Sequence, residues 1–477
     1  MVLLFSLAFG QFAMGATYYI DYQSGSDSNP GTSPTAPWKL APGMTGFSGK
    51  YTHQPGDVFL FKGGVTWPAS VLPLNILYSG RPDAHDQYRA DMSWYAGRAW
   101  SYPVFDGGGS KMGIYALDKD YFIIDSLKIV NNGNGVLSGD NGMAFVRCSN
   151  YAIRNCHIQP NTISAIANGM SPLRDTENVE ISGNLIMDAL KLLTFGGNQY
   201  RSTNNIRIFN NRFSGSTQGN IGQYHTNGIH IFGYTPTTKI PHEKGYSFNN
   251  VYIYNNVFDG NWRYGATAYI YFGEGVNNAW IFNNVLSFDN TTSDAKSYMF
   301  SPGAIYILTS DNIRIYNNTI SSAGLYAYNS GIKTGIALQN ASRIDIRNNL
   351  MAYVENGIII TETCRDYFSD SNFFFIRPSG GRVGIAGSIW ARTLAEWQKA
   401  GFDINSKEGD PKFMNDTAPP MDLRLKSESP ALASGENLSQ IFSTDILSRS
   451  RPFRGKWTIG AYEGTGIYPP SGLRVIP

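Results

Sequence analysis

The feature that most restricts this chain is a short strand ending in an asparagine corner, which returns as IRIFNNRF at 206–213, VYIYNNVF at 251–258, WIFNNVL at 280–286, IRIYNNTI at 313–320 and IDIRNNLM at 344–351. Looser copies precede these: FIIDSLKI at 122–129, YAIRNCHI at 151–158 and VEISGNLI at 179–186. Counted at the second corner residue, Cys156, Asn184, Asn211, Asn256, Asn284, Asn318 and Asn349, the steps are 28, 27, 45, 28, 34 and 31 residues. One such unit cannot bury its apolar side chains alone and has to stack on its neighbours, which makes the chain a solenoid. Apolar and polar residues alternate before each corner, the period of strands with one face in and one face out. Asparagine suits the corner because it tolerates the left-handed backbone and can hydrogen-bond along a stack of identical neighbours. The reading places Asn284 in that left-handed turn.

A second strand series lies within the same repeats: GMAFVR at 142–147, ALKLLTF at 189–195, GIHIFG at 228–233, AYIYFG at 268–273, AIYILT at 304–309, GIALQN at 335–340 and GIIITE at 357–362. Each coil then has three short faces, with neighbouring coils about 4.8 Å apart. The expected fold is all-β, a right-handed parallel β-helix with an amino-terminal entry segment and a carboxy-terminal closing tail. Repeats would fill about 120–375, and the tail about 410–465 would cover part of an open end. An antiparallel sandwich with Asn turns fails to explain why the same strand–corner–strand unit recurs without Asn-Gly hairpin signals.

A formal charge of +2 argues against a general nucleic-acid binder. The apolar run Val2 to Met14, followed by small residues, reads as a signal peptide over 1–16, leaving 17–477 as one secreted or periplasmic domain. No other stretch is apolar enough to span a membrane, and a monomer is expected. Three cysteines, Cys148, Cys156 and Cys364, make no disulfide framework in so long a chain and read as small buried thiols.

The start TYYIDYQSGSDSNPGTSPTAPWK, the segments LYSG and YPVFDGGG, the NN repeats and the ending DPKFMN…LRLKSESPALASG…IGAYE resemble secreted bacterial right-handed β-helix proteins. That resemblance implies the fold and leaves the activity among lyases, glycosidases, epimerases and non-catalytic surface proteins. HTNGIHI is similar to the NTDGIHI segment of polygalacturonase-type glycosidases, and GIKTG at 331–335 to their later RIK-type segment. Asn227 stands where that family has its catalytic Asp, no paired Asp-Asp follows, and Gly-His-Gly is missing.

Laid in register, the second series puts Ala144, Lys191, His230, Ile270, Tyr306, Ala337 and Ile359 at one position, with Lys191, His230 and Tyr306 facing out. The longest step contains an insertion from Tyr234 to Tyr246, the kind of loop that carries binding groups on a rigid scaffold. Lys191, His230 and Glu274 are the catalytic candidates, and His225, Asn227, Trp262, Arg263, Tyr264 and Tyr306 the substrate-binding ones. Aromatic side chains beside charged ones suit a sugar ring, so the expected partner is a polysaccharide. A lyase acting on a uronate-containing chain would use Lys191 and His230 for proton transfer, and Arg263 for the carboxylate. A glycoside hydrolase would need two carboxylates, for which Glu274 and Asp188 are available. A non-catalytic carbohydrate-binding protein is the third reading. The cofactor is left open: calcium is possible and would need clustered carboxylates, of which Asp188 and Glu274 are candidate members, although no Asp-rich run is present.

Overall fold

A computed structural model describes residues 15–133, 141–169, 174–216, 226–237, 243, 245–262, 266–288, 303–322, 331–377 and 380–464. They form a right-handed parallel β-helix with three long walls, each a sheet of 12 strands. One coil shows the path: Thr203–Phe209 in the first sheet, the Asn corner, Arg212–Ser216 in the second sheet, and Asn227–Phe232 in the third. The chain then re-enters the first sheet at Phe248–Tyr254, parallel to its predecessor.

Burial of identical residues in register holds the coils together. In the first sheet Ile124, Ile153, Ile181, Ile208, Ile253, Ile281, Ile315 and Ile346 stack one on another, all fully buried. Their β-branched side chains fit the pleat, and burying each contributes about 1.5–3 kcal/mol. A one-residue slip would turn the whole column outward.

The corner divides its tasks between its two asparagines. The first of each pair takes the left-handed backbone, with φ of 55° at Asn210, 55° at Asn255, 53° at Asn283, 50° at Asn317 and 56° at Asn348. The second points into the interior and forms the ladder. Asn256 donates from N and Nδ2 to Asn284 Oδ1, both at 3.0 Å, and Asn284 donates likewise to Asn318 Oδ1, both at 3.0 Å. The left-handed residue is therefore Asn283 and not Asn284, because only the outer member of the pair has to reverse the chain. The ladder runs from Asn184 to Asn372. It ends on buried Asp403, whose carboxylate accepts from Asn372, Ser406, Ser369 and Trp397.

A second, exterior ladder runs along the entry to the first sheet. Asn150, Asn178, Asn205, Asn250, Asn278 and Asn312 all have positive φ, and each amide donates to the one before it, from Asn178 onto Asn150 to Asn312 onto Asn278. Its sequence signal is an Asn in the opening residues of these first-sheet strands, as in NNIRI, NNVYI and NNAWI.

The ends are closed differently from expectation. Trp38, Leu40 and Met44 of the entry segment and Leu394 and Trp397 of the helix Leu394–Lys399 join the main core. The tail instead folds back along the corner between the first and second sheets. Asn283 donates to Thr444 O (2.7 Å), Asn317 to Thr458 O (3.1 Å) and Asn348 to Glu436 O (2.8 Å). Buried Arg451 donates to Glu463 and to Asn283 Oδ1, both at 2.9 Å, so tail and corner share one ion-paired network. The three cysteines are buried thiols.

Candidate functional site

The third sheet carries the outward titratable side chains. Its register aligns Thr194 with His230, His230 with Tyr271, Tyr271 with Tyr306, and Tyr306 with Ala337 and then Ile359. Lys191 is aligned with Asn227 and Ala268, three positions upstream of that column. The expected single row of Lys191, His230 and Ile270 is thus corrected: Lys191 belongs to another column, and Ile270 is buried beside outward Tyr271. Alternation fails because each strand bends and sends two successive residues inward, Leu192 with Leu193, and Tyr269 with Ile270. The strand Thr162–Gly169 also supplies one coil that the second series had passed over.

The Lys191 side chain nevertheless reaches a ring that His230 also touches. Its Nζ lies over the Phe232 ring at 5.6 Å from the centroid, and that ring lies 4.9 Å from the His230 ring. His230 stacks on Tyr271 at 4.8 Å, and Tyr271 on Tyr306 at 5.0 Å. Gly273 makes room for this arrangement, since a Cβ there would meet Phe232 Cβ at 3.1 Å and His230 Nε2 at 3.3 Å. Glu274 follows at once, and its charge acts on the Tyr271 hydroxyl. Three of the candidates, Lys191, His230 and Glu274, therefore gather around a ledge of stacked rings.

Burial sets the electrostatics. It pulls the Lys191 ammonium below its ordinary range and pushes the Glu274 carboxyl above its own. The Tyr271 hydroxyl is raised by burial and then by Glu274, and Tyr306 is pushed up to about 12 by burial and then by Tyr271. The Tyr306 hydroxyl donates to Gln339 Oε1 at 2.6 Å. Burial thus favours the uncharged form of both the Lys191 amine and the Glu274 carboxyl, the direction of shift that proton-transfer groups need.

Other candidates fare differently. Trp262 is wholly buried, donates from Nε1 to Asp259 O at 2.9 Å and packs edge-on against Tyr269, so it is a core residue and not a sugar platform. Asn227 is also wholly buried, its Oδ1 accepting from Ala268 N at 3.2 Å; it joins coils and presents nothing to a substrate. Tyr306 is 8% exposed and stacks beside Tyr271 on the next coil. His225, Arg263 and Tyr264 lie outside the described residues. Asp188 precedes the strand Ala189–Gly196 and Glu274 follows the strand Ala268–Phe272, at opposite ends of the third sheet's width. Nine strand positions separate them, roughly 20–30 Å, well beyond the 5–9.5 Å that paired glycosidase carboxylates need. Sequence reasoning missed Tyr271 and Phe232, although AYIYFG and GIHIFG contain both; a register corrected for the bend would have found them.

Among the described residues no group of three or more His, Cys, Asp or Glu side chains converges as a metal would require. No helix among them is long and apolar enough to cross a membrane.

No protein-family model matches the sequence, and no curated protein matches it. Among solved structures the chain is similar to pectate lyase Pel9A, with a TM-score of 0.51 and 14% identity over 95% of this chain and 98% of that one. A GH136 lacto-N-biosidase from Eubacterium ramulus gives a TM-score of 0.48 at 12% identity, over 85% of this chain and 68% of the other. A rhamnogalacturonan lyase gives 0.40 at 13% identity, over 87% and 97%. The first of these places the chain in the right-handed parallel β-helix class.

Proposed function

We propose that this chain is a carbohydrate-active enzyme that cleaves a uronate-containing polysaccharide by β-elimination. The observation that carries the reading is the half-buried Lys191 amine on the outer face of the third sheet, its pKa lowered by burial, reaching the His230–Tyr271 ledge. A neutral Lys191 removes the proton on the carbon beside the uronate carboxylate. The electron pair left behind forms the new double bond as the glycosidic oxygen departs. That oxygen takes a proton from Glu274, whose carboxyl burial raises above its ordinary range, while a ring N–H of His230 donates to the carboxylate as charge develops on it. The β-helix shared with a pectate lyase is compatible with this chemistry. The wide separation of Asp188 and Glu274 weighs against a hydrolase built on that pair. The chain from 17 onward is read as one secreted domain, the Val2–Met14 run being its export signal.

The test is to incubate the purified protein with polygalacturonate, alginate and neutral xylan, following ultraviolet absorbance of an unsaturated product alongside new reducing ends. Both signals should rise together on a uronate polymer. Reducing ends without absorbance would replace elimination by hydrolysis, and retained binding without either signal would leave a non-catalytic carbohydrate-binding protein.

A further inference from the structure

The outward face of the first sheet holds a groove of about 490 Å³ whose Glu180 and Arg207 end lies on the coils of Lys191 and His230, while Ile123 and Ala152 lie on the two coils before them, on a different wall of the helix from the ledge. Its floor is formed where the outward column narrows to Ile123 and Ala152, and the next two members of that column are Glu180 and Arg207. His85 and Tyr121 form one side, their rings edge to face at 5.5 Å. Across the groove Glu180 sits beneath two guanidiniums, accepting from Arg154 at 2.7 Å and from Arg207 at 3.2 Å. The carboxylate is only 13% exposed, while Arg154 is 39% and Arg207 57% exposed, so the cations face the solvent and the anion lies behind them. Glu177 and Asn178 at the rim add acceptors. Beyond Arg207 the same column continues as Tyr252 and Trp280, stacked at 4.8 Å, with the Arg314 guanidinium 4.7 Å from the Trp280 ring.

We propose that this groove is a second, non-catalytic saccharide-binding site that anchors the polymer while the third sheet works on it. A sugar offers apolar C–H faces together with hydroxyls that both donate and accept. The groove answers with an apolar floor, exposed Arg154 and Arg207 as donors, and Glu177 and the Asn178 amide as acceptors. A uronate carboxylate would pair with Arg207, the more exposed guanidinium. Balanced lining charge, two arginines against two glutamates, does not suit a nucleic-acid backbone, which is bound by a cationic excess. Engaging two walls of one rigid solenoid raises the local concentration of long chains, an advantage that short oligosaccharides cannot share. The site rests on the saccharide reading of the chain and not on elimination chemistry.

The experiment is native electrophoresis through gels containing polygalacturonate, alginate or xylan. It uses Lys191→Ala as the parent so that the polymer survives the run, with Arg207→Glu and Ile123→Trp added separately. Arg207→Glu reverses the exposed charge. Ile123→Trp fills the floor without touching the ion network, so a fold defect in one variant does not remove the test. Both should weaken retardation by roughly fivefold or more. In the Lys191-containing protein they should leave kcat/KM on short oligosaccharides within about twofold while raising KM on the long polymer. Variants retarded like their parent would overturn the groove and leave the cleavage reading standing. Equal loss on short and long substrates would also overturn it, by making the groove part of the catalytic cleft. If the unsubstituted protein neither cleaves nor is retarded by any of the polymers, the saccharide reading falls and the groove with it.

Discussion

Lys191→Ala should lower kcat on the cleavable polymer by roughly a hundredfold or more, the range expected when a positioned general base is lost. Its melting temperature should stay close to that of the unsubstituted protein, because the side chain lies on the outer face of the sheet while Leu192 and Leu193 beside it fill the core. His230 requires a subtler change, since its ring stacks on Tyr271. His230→Phe keeps the stack and removes both nitrogens, and should cost a comparable factor with stability preserved. The pH profile follows from the sign of the Lys191 shift. The base acts when neutral, and burial lowers its pKa from 10.5, so activity falls as pH drops through a midpoint below 10.5. Lys191→Arg, which stays protonated, should not restore the rate. Lys333→Ala, two coils beyond Glu274, should change turnover little. Full activity in the Lys191 and His230 variants, measured as initial rates of double-bond formation, would remove the ledge from the mechanism.

How much of this was legible before any coordinates follows from which contacts recur. The coil repeat was plain because the same inward isoleucine recurs in eight successive coils and the interior corner asparagine in the last six of them, so that a requirement repeated in space is repeated in the sequence. The candidate ledge occurs once. Its register depended on a bend that sends Tyr269 and Ile270 inward together, and alternation counted by twos slips by one there, exchanging Tyr271 for Ile270. Trp262 misled for a related reason. An indole beside Arg263 looks like a sugar platform in one dimension, but the strand Val257–Trp262 turns it inward onto Tyr269. The tail was expected over an open end, whereas Arg451, Glu463 and the outer corner asparagines draw it along the side. That preference lies in long-range pairing between residues such as Asn283 and Thr444, which no local pattern announces.

The two asparagines of one corner should respond in opposite ways to shortening. Asn255 has φ of 55°, a region that glycine enters without a Cβ penalty, so Asn255→Gly should change stability by less than about 1 kcal/mol. Asn256 is wholly buried, and its Oδ1 accepts from both N and Nδ2 of Asn211, each at 3.0 Å. Its own Nδ2 donates to Ile208 O at 2.9 Å and to Asn284 Oδ1 at 3.0 Å. Asn256→Ala removes this amide and takes from the buried Asn211 N–H and the Ile208 carbonyl the partner it supplied, while Asn211 Nδ2 keeps Ile181 O and Phe209 O. Each buried group so abandoned costs about 1–3 kcal/mol, so the total should be on the order of 3–5 kcal/mol. Asn284→Val should behave like Asn256→Ala, because Asn284 occupies the same rung position and accepts from Asn256 in the same way. Urea denaturation followed by far-ultraviolet circular dichroism gives the comparison directly. Equal midpoints for Asn255→Gly and Asn256→Ala would mean that the interior amides add nothing beyond turn geometry, and that the isoleucine stacks alone hold neighbouring coils in register.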